Sequence, residues 1–326
     1  MTQETTTYDV ITLGETMLRL SPPGPLRLEQ AAHYEAHVGG SESNVAVGLA
    51  RLGLKTAWLS RMTDNALGRS VVNAIRAQGV DTQIAWTPQD RVGLYFYEAG
   101  SAPRDGQVIY DRAGSAAARM QPADLPQLQA HSARLLHLSG ITPALGASAA
   151  ETALTLARTA QAHGWQISLD VNYRQLLWSP QEARAGCHAL AELADLLFLP
   201  LRDAVTLYQT TSDPAQAARQ LRTLYPHATV ILSLGGDGAL ALDDQGVSRQ
   251  AAYPAEASGA GRIGGGDAFV AGYLYGHLTG ASRQDRLRWG AACAAYKYSM
   301  PGDMPLLDRA PITQLIEDGH APGLVR

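Results

Sequence analysis

The chain has very little lysine. Of its 326 residues 26 are basic, and only Lys55 and Lys297 among these are lysines. The skew is chiefly compositional, yet it has a chemical consequence. A Walker P-loop requires lysine directly after glycine, and here Leu54 and Tyr296 precede the two lysines. That class of NTPase is excluded. Cysteine is equally scarce. Cys187 and Cys293 cannot build a disulfide framework or a cysteine-rich zinc site, and they suit a reducing compartment. The 26 basic residues face 30 acidic ones, a net charge of −4, so the basic surplus of a nucleic-acid coat is missing. No apolar run approaches the ~20 residues of a bilayer span. The opening MTQETTTYDVITLG has no basic segment followed by an apolar one, and no GxSxG element occurs. A soluble, cytoplasmic protein is expected, with neither nucleic acid nor membrane as partner.

What the chain does hold is core. With 46% hydrophobic and 17% charged residues it can fill a large interior, and a wholly disordered chain is excluded. Tyr8 to Leu13 reads as a strand buried on both faces and ending at Gly14. Residues 42–52 show helical spacing with Gly53 as the stop, Thr56 to Ser60 a strand, and Gly68 to Gln78 a second helix. Further strands are predicted at Leu135–Ser139, Gln166–Val171, Leu196–Leu199 and Thr229–Leu234, with helices at 148–162, 181–193 and 214–224 between them. Such alternation implies parallel strands joined by right-handed crossovers. The remainder, at 266–279, 283–298 and 311–318, reads as helical. Residues 16–38 and 90–118 break the pattern. They are rich in Pro, Gly, Tyr and Arg and carry period-two stretches at Gly93–Glu98 and Gln107–Asp111, which predicts a small β lid rather than two loops.

Three glycine clusters carry the candidate chemistry. GRIGGGDAF at 261–269 opens a helix, where bare backbone N–H groups and the helix dipole favour an anion. Asp267 follows directly, and an acid beside a phosphate site is repulsive unless it works, for instance by taking a proton. Taken alone, a glycine turn with an ordinary first-turn acid fits as well. SLGGDG at 233–238, taken alone, is a good hairpin turn. GGSESNVAVGLARLG at 39–53 places the Asn44 amide and free N–H groups at a helix start. They suit polyol hydroxyls, with N-capping by Ser41 or Ser43 as the plain alternative.

Together, in this order and spacing, these segments resemble the ribokinase-like carbohydrate kinases, the phosphofructokinase B type, over nearly the whole chain. GLYFYE at 93–98, YDRAG at 110–114, DVNYRQLLW at 170–178 and KYSMPGDM at 297–304 resemble the 2-keto-3-deoxygluconate kinase branch. The resemblance implies a single α/β domain, a three-layer αβα sandwich with a mostly parallel central sheet and a small β-sheet lid. It implies an ATP- and Mg²⁺-dependent kinase in which Asp267 is the base for the primary hydroxyl and Gly264, Gly265 and Gly266 form the anion hole. An aspartate of ordinary acidity, near ~4, suffices, because the hydroxyl acidifies as it bonds to phosphorus. The sugar acid is expected against Gly40, Ser41, Glu42, Ser43, Asn44, Tyr95, Tyr110, Arg112, Arg174 and Asp303. The nucleotide is expected over Asn172, Ser233, Gly235, Gly236, Asp237 and Gly238, and association into a homo-oligomer is implied. Arg112 and Arg174 are forked donors suited to a carboxylate or phosphate.

Two positions depart from the family pattern. Gly261 stands where the signature has Asp. Leu201 and Ala204 stand where the family shows Asn or Ser and Glu, leaving neighbouring Asp203 to substitute. Both fall on the metal side. His33, Glu35 and His37 alternate on one strand face, which favours solvated or lid-facing side chains over a zinc site. The alternatives are a kinase of fructose or a related ketose or aldonate, and a degenerate binder of sugar acid or nucleotide.

Overall fold

In the computed structural model, which describes residues 6–100, 103–125, 131–255 and 263–319, the first apolar run becomes β1 (Thr6–Leu13). The excursion after it forms β2 (Met17–Ser21) and β3 (Glu35–Gly39). Helix α1 (Ser41–Arg51), β4 (Thr56–Thr63), α2 (Ala66–Arg76) and β5 (Asp81–Thr87) follow. The second excursion gives β6 (Leu94–Glu98) and β7 (Gln107–Asp111). Alternation resumes with β8 (His131–Ser139), α3 (Ile141–Ala144), α4 (Ala147–Ala162), β9 (Gln166–Asp170) and α5 (Pro180–Leu193). Next come β10 (Leu196–Pro200), α6 (Leu201–Tyr208), α7 (Pro214–Leu224) and β11 (Thr229–Ser233). The chain then forms β12 (Ala239–Asp243), β13 (Gly246–Gln250), α8 (Gly265–Leu278), α9 (Arg283–Tyr298) and α10 (Arg309–Asp318).

The larger sheet has nine strands in the order β13-β12-β11-β10-β9-β8-β1-β4-β5. All pairs from β11 to β5 are parallel, and the β11–β12–β13 hairpins add an antiparallel edge. Both faces are covered, as a parallel sheet requires. Ile11 and Leu13 face a core shared with Leu156, Leu190, Leu207 and Leu221 of α4 to α7. Val10 faces the other core, with Leu49 of α1 and Phe269, Val270 and Leu274 of α8. Helix α8 buries residues around its whole circumference, so it lies inside the molecule rather than on it. A mixed α/β architecture results, with a large mostly parallel sheet between two helical layers.

The two excursions pair with each other. They make a separate four-stranded sheet in the order β3-β2-β6-β7, with β2 and β6 parallel and the outer pairs antiparallel. Three features were not legible in the sequence pattern. Strand β5 is a polar, half-exposed edge, α6 has only 8 residues, and β13 alternates too weakly to show a face. Among the described residues no helix is long and apolar enough to cross a membrane.

The chain leaves β1 on one side for β4 and β5, then crosses to β8 on the other. Such a reversal opens a crevice at the carboxyl ends of the strands. The candidate site lies there.

Candidate active site

A cleft of about 450 Å³ lies between these strand ends and the smaller sheet. Its floor takes Glu15 just after β1, Ile141 after β8, Asp170 at the end of β9, Pro200 at the end of β10 and Ser233 at the end of β11. Tyr95 and Tyr97 of β6, with Val108 and Tyr110 of β7, face it from the smaller sheet. The N-termini of α1 and α8 close its flanks through Gly40, Ser41, Asn44, Gly264, Gly266 and Asp267.

At one end stands Asp267, in the first turn of α8. The N-cap of that helix, Gly264, has φ +75°, which disfavours any residue with a Cβ. No side chain caps the helix, so its first N–H groups stay available to an anion. Asp267 accepts a hydrogen bond from Ser41 Oγ at 2.9 Å and another from Asn44 Nδ2 at 2.7 Å. Asn172 donates in turn to Ser41 Oγ at 2.8 Å. Desolvation raises the Asp267 carboxyl to about 6, against the opposing pull of Asn44, Ser41 and the Arg174 charge. The ordinary acidity expected from sequence therefore does not hold, because the surrounding walls remove water from the carboxylate. Neither Ser41 nor Ser43 caps α1. The N-cap is Gly40, and a Cβ there would fall 2.2 Å from the Glu15 carbonyl oxygen.

At the other end two buried ion pairs sit under the smaller sheet. Arg19 Nε donates to Asp303 Oδ2 at 2.7 Å, with the two side chains only 1% and 2% exposed. Tyr95 donates its hydroxyl to the other oxygen of Asp303. Burial, with the Asp303 charge, raises the Tyr95 phenol and keeps it protonated. Arg112 is paired with Glu15 through Nε, at 2.8 Å, and Nη2. The sequence pattern presents Arg112 as a free fork. The fold fills one side of that fork with Glu15, since a buried guanidinium needs a counter-charge. Arg112 also lies 5.5 Å from the centre of the Tyr110 ring.

Arg174 is separate from this pair. It lies half-buried on the loop after β9, and its charge favours the ionised carboxylates of Asp170, Asp203 and Asp267, pulling their pKa values down against burial. Asp170 is 8% exposed, and burial followed by the Asp267 charge raises it to about 8. Asp203 faces the cleft near the start of α6, and its carboxyl is raised by burial. The adjoining Ala204 is wholly buried in the core. Helix α6 thus turns position 203 to the site and position 204 away from it. Gly261 lies outside the described residues.

The predicted residues do not all reach the cleft. Glu42 is 1% exposed and points inward, accepting from Ser139 Oγ at 2.6 Å and Thr142 Oγ1 at 2.8 Å. It ties α1 to the end of β8, and burial raises its carboxyl. Ser43 accepts from Thr16 Oγ1 and donates to the Gly40 carbonyl, also inside. Gly265 packs on the Tyr298 ring. Ser233 reaches the cleft, while Gly235, Gly236 and Asp237 are exposed in the tight turn before Gly238 that joins β11 to β12. The hairpin reading of SLGGDG describes that local shape. Glu35 and His37 pair with each other at 3.7 Å on β3.

Sequence reasoning missed Glu15, Asp170 and Tyr97 at the cleft, and Arg19, which is buried behind it on Asp303. Arg19 carried little signal, since between Leu18 and Leu20 it takes the polar place of a short strand, and only the fold buries that face as well. For Glu15 only the position after a β1 end was available, and this distinguishes little.

The family profile described as pfkB family carbohydrate kinase matches residues 8–309. A 2-dehydro-3-deoxygalactonokinase of Haloferax volcanii is 38% identical over 97% of this chain and 98% of its own. A 5-dehydro-2-deoxygluconokinase of Clostridium perfringens is 27% identical over 92% of this chain and 91% of its own. The crystal structure of 2-dehydro-3-deoxygluconokinase from Thermotoga maritima superposes with a TM-score of 0.86 at 30% identity, covering 95% of this chain and 98% of that one. Glycine-opened helices at both flanks of one cleft, an aspartate at the second of them, and a match along almost the full length agree. The chain belongs to the pfkB family of carbohydrate kinases.

Proposed function

We propose that the chain transfers the γ-phosphate of ATP to the primary hydroxyl of 2-keto-3-deoxygluconate. One observation carries the reading. The cleft joins a desolvated aspartate at an uncapped helix N-terminus to a wall holding Arg112, Tyr95 and Tyr110. In this reading the sugar acid lies under the smaller sheet, which acts as the lid of a single kinase domain. Its carboxylate meets the unfilled side of the Arg112 fork and its hydroxyls meet Tyr110 and the Asn44 amide. Asn44 Oδ1 is buried and lacks a hydrogen-bond partner among the described residues, so an acceptor is ready for a sugar hydroxyl.

The primary hydroxyl then points at Asp267. Its oxygen attacks the γ-phosphorus, the bond to the β-phosphate bridging oxygen breaks, and the proton passes to Asp267. The N–H groups at Gly264 to Gly266 receive the charge on the transferring group, and Arg174 adds a cation beside it. Asn172 and Ser41 keep the Asp267 carboxylate oriented through the hydrogen bonds described. ATP runs from there over Ser233 toward the exposed turn at Gly235 to Gly238.

Magnesium is the metal this reading implies. The available donors are carboxylate oxygens, Asp170 and Asp203, which suit a hard cation that keeps waters and binds through one or two carboxylates plus substrate phosphates. Asp170 and Asp203 would hold it beside the nucleotide, where it would supply positive charge to the phosphates.

The galactonate-derived epimer is the second reading, favoured by the 38% identity to the Haloferax volcanii protein. Coupled ADP release with both keto-deoxy epimers, 5-keto-2-deoxygluconate and fructose tests the assignment. Highest kcat/KM on a 2-keto-3-deoxy acid is expected. A preference for fructose removes the role given to Arg112, and saturable binding without turnover makes the chain a binder.

A further inference from the structure

One of the two lysines is Lys297, in the last turn of α9 with 1% of its surface exposed. A buried ammonium is tolerated only where its protons find acceptors. Its Nζ donates to the Met300 carbonyl at 3.1 Å and to the Gly302 carbonyl at 3.0 Å. Both belong to the turn that follows α9 and carries Asp303 into the cleft.

The same turn backs the start of α8. A Cβ placed on Gly264 would fall 2.2 Å from the Asp303 carbonyl oxygen and 3.2 Å from Lys297 Cε. The segment after α9 therefore works on two sides. The Asp303 carboxylate reaches Arg19 and Tyr95 under the smaller sheet, while the Asp303 carbonyl and the lysine stem press on the N-cap of α8. Burial lowers the pKa of the ammonium, the Asp303 charge opposes this, the Arg19 charge adds to it, and the Asp267 charge favours the ammonium.

We propose that Lys297 is a positioning residue for phosphoryl transfer: by gripping the Met300 and Gly302 carbonyls it fixes both the Asp303 carboxylate and the backbone against which Gly264 is set. Its catalytic consequence rests on the kinase reading, whereas the mechanical link between the two segments does not. Without the ammonium two carbonyls lose their partner, and the turn relaxes away from both of its contacts.

The test uses the full-length Lys297→Met and Lys297→Gln variants, the second of which keeps N–H donors. Hydrogen exchange read without ligand should rise at least about tenfold in peptides covering 299–304 and 263–268 of Lys297→Met, and stay unchanged in α2. Its kcat should fall about a hundredfold, as a misplacement near 1 Å at a reacting centre does, and Lys297→Gln should recover about tenfold of that. KM for the sugar acid should rise about tenfold while KM for ATP stays within about threefold. Faster exchange in 299–304 alone, with kcat unchanged, overturns the proposal. So does an even loss of exchange protection across the chain, or failure of both variants to fold, since each assigns the lysine to general stability. A wild-type protein inactive on every keto-deoxy acid defeats the functional reading instead, because the exchange result is independent of substrate.

Discussion

The Asn44 amide donates to Asp267 Oδ2 at 2.7 Å across 223 residues of sequence, joining the N-termini of α1 and α8 over one carboxylate. The bond stabilises the charged form of an aspartate that burial otherwise pushes toward neutrality. It leaves the carboxylate anchored but still able to accept a proton.

Asp267→Asn should lower kcat by about 10² to 10⁴, the span of general acid–base catalysis, with both KM values held within several-fold. Asparagine preserves the shape but loses the charge and the proton acceptor, and it can accept from only one of Ser41 and Asn44 without a turn of the partner. Steady-state kinetics with each substrate varied in turn will show it, and near-normal kcat would remove Asp267 from the role of base.

The carboxyl is raised from 3.8 to about 6, so below that pH it is protonated and cannot take the hydroxyl proton. The log of kcat/KM should therefore climb with pH and level off above about 6. Asn44→Ala removes a donor to the charged form, so the rise should move to higher pH, by about one unit for a bond worth ~1.4 kcal/mol. A pH–rate profile of both proteins tests the sign. An unmoved or downward-moved limb contradicts the assignment.

Arg112→Lys keeps the charge but loses the fork. KM for the keto-deoxy acid should rise about tenfold to a hundredfold, matching ~1.5–3 kcal/mol for a charged hydrogen bond, while any activity on fructose stays level. The Glu15 partner gives an independent reading. Glu15→Gln leaves Arg112 buried without a counter-charge, and urea unfolding should register a loss of about 3 kcal/mol.

Gly264→Ala combines a left-handed backbone, costing about 1–2 kcal/mol for a residue with a Cβ, and a collision with the Asp303 carbonyl. Reduced kcat together with a lowered urea midpoint is expected. A variant with wild-type kcat would show that the helix start tolerates displacement, contrary to an anion hole set by that backbone.

Much of the fold was legible because its signals are local. The alternation of apolar runs with helical spacing gives strands and helices in the right order, and the interruptions at 16–38 and 90–118 mark the segments that build the second sheet. The helix start before Asp267 was equally legible as local structure, although three glycines and an acid fit a plain turn as well, and the role proposed for Asp267 came from the family resemblance. What local signals cannot give is which side chains meet. Glu42 stands two residues before Asn44 in the same motif, yet α1 turns the first into the core and the second onto Asp267. Asp203 and Ala204 are adjacent, yet α6 sends one to the cleft and the other to the apolar interior.

The sequence by itself determined the layered α/β class, the glycine-opened helices and the acid beside them, because each follows from periodicity or from glycine's freedom within a short segment. Tertiary structure alone decided that Glu15 fills one side of Arg112, that Arg19 and Tyr95 hold Asp303, and that Asp267 sits near 6 rather than 4. Counter-charge and desolvation depend on distance through space, and in this fold the partners that supply them come from opposite ends of the chain.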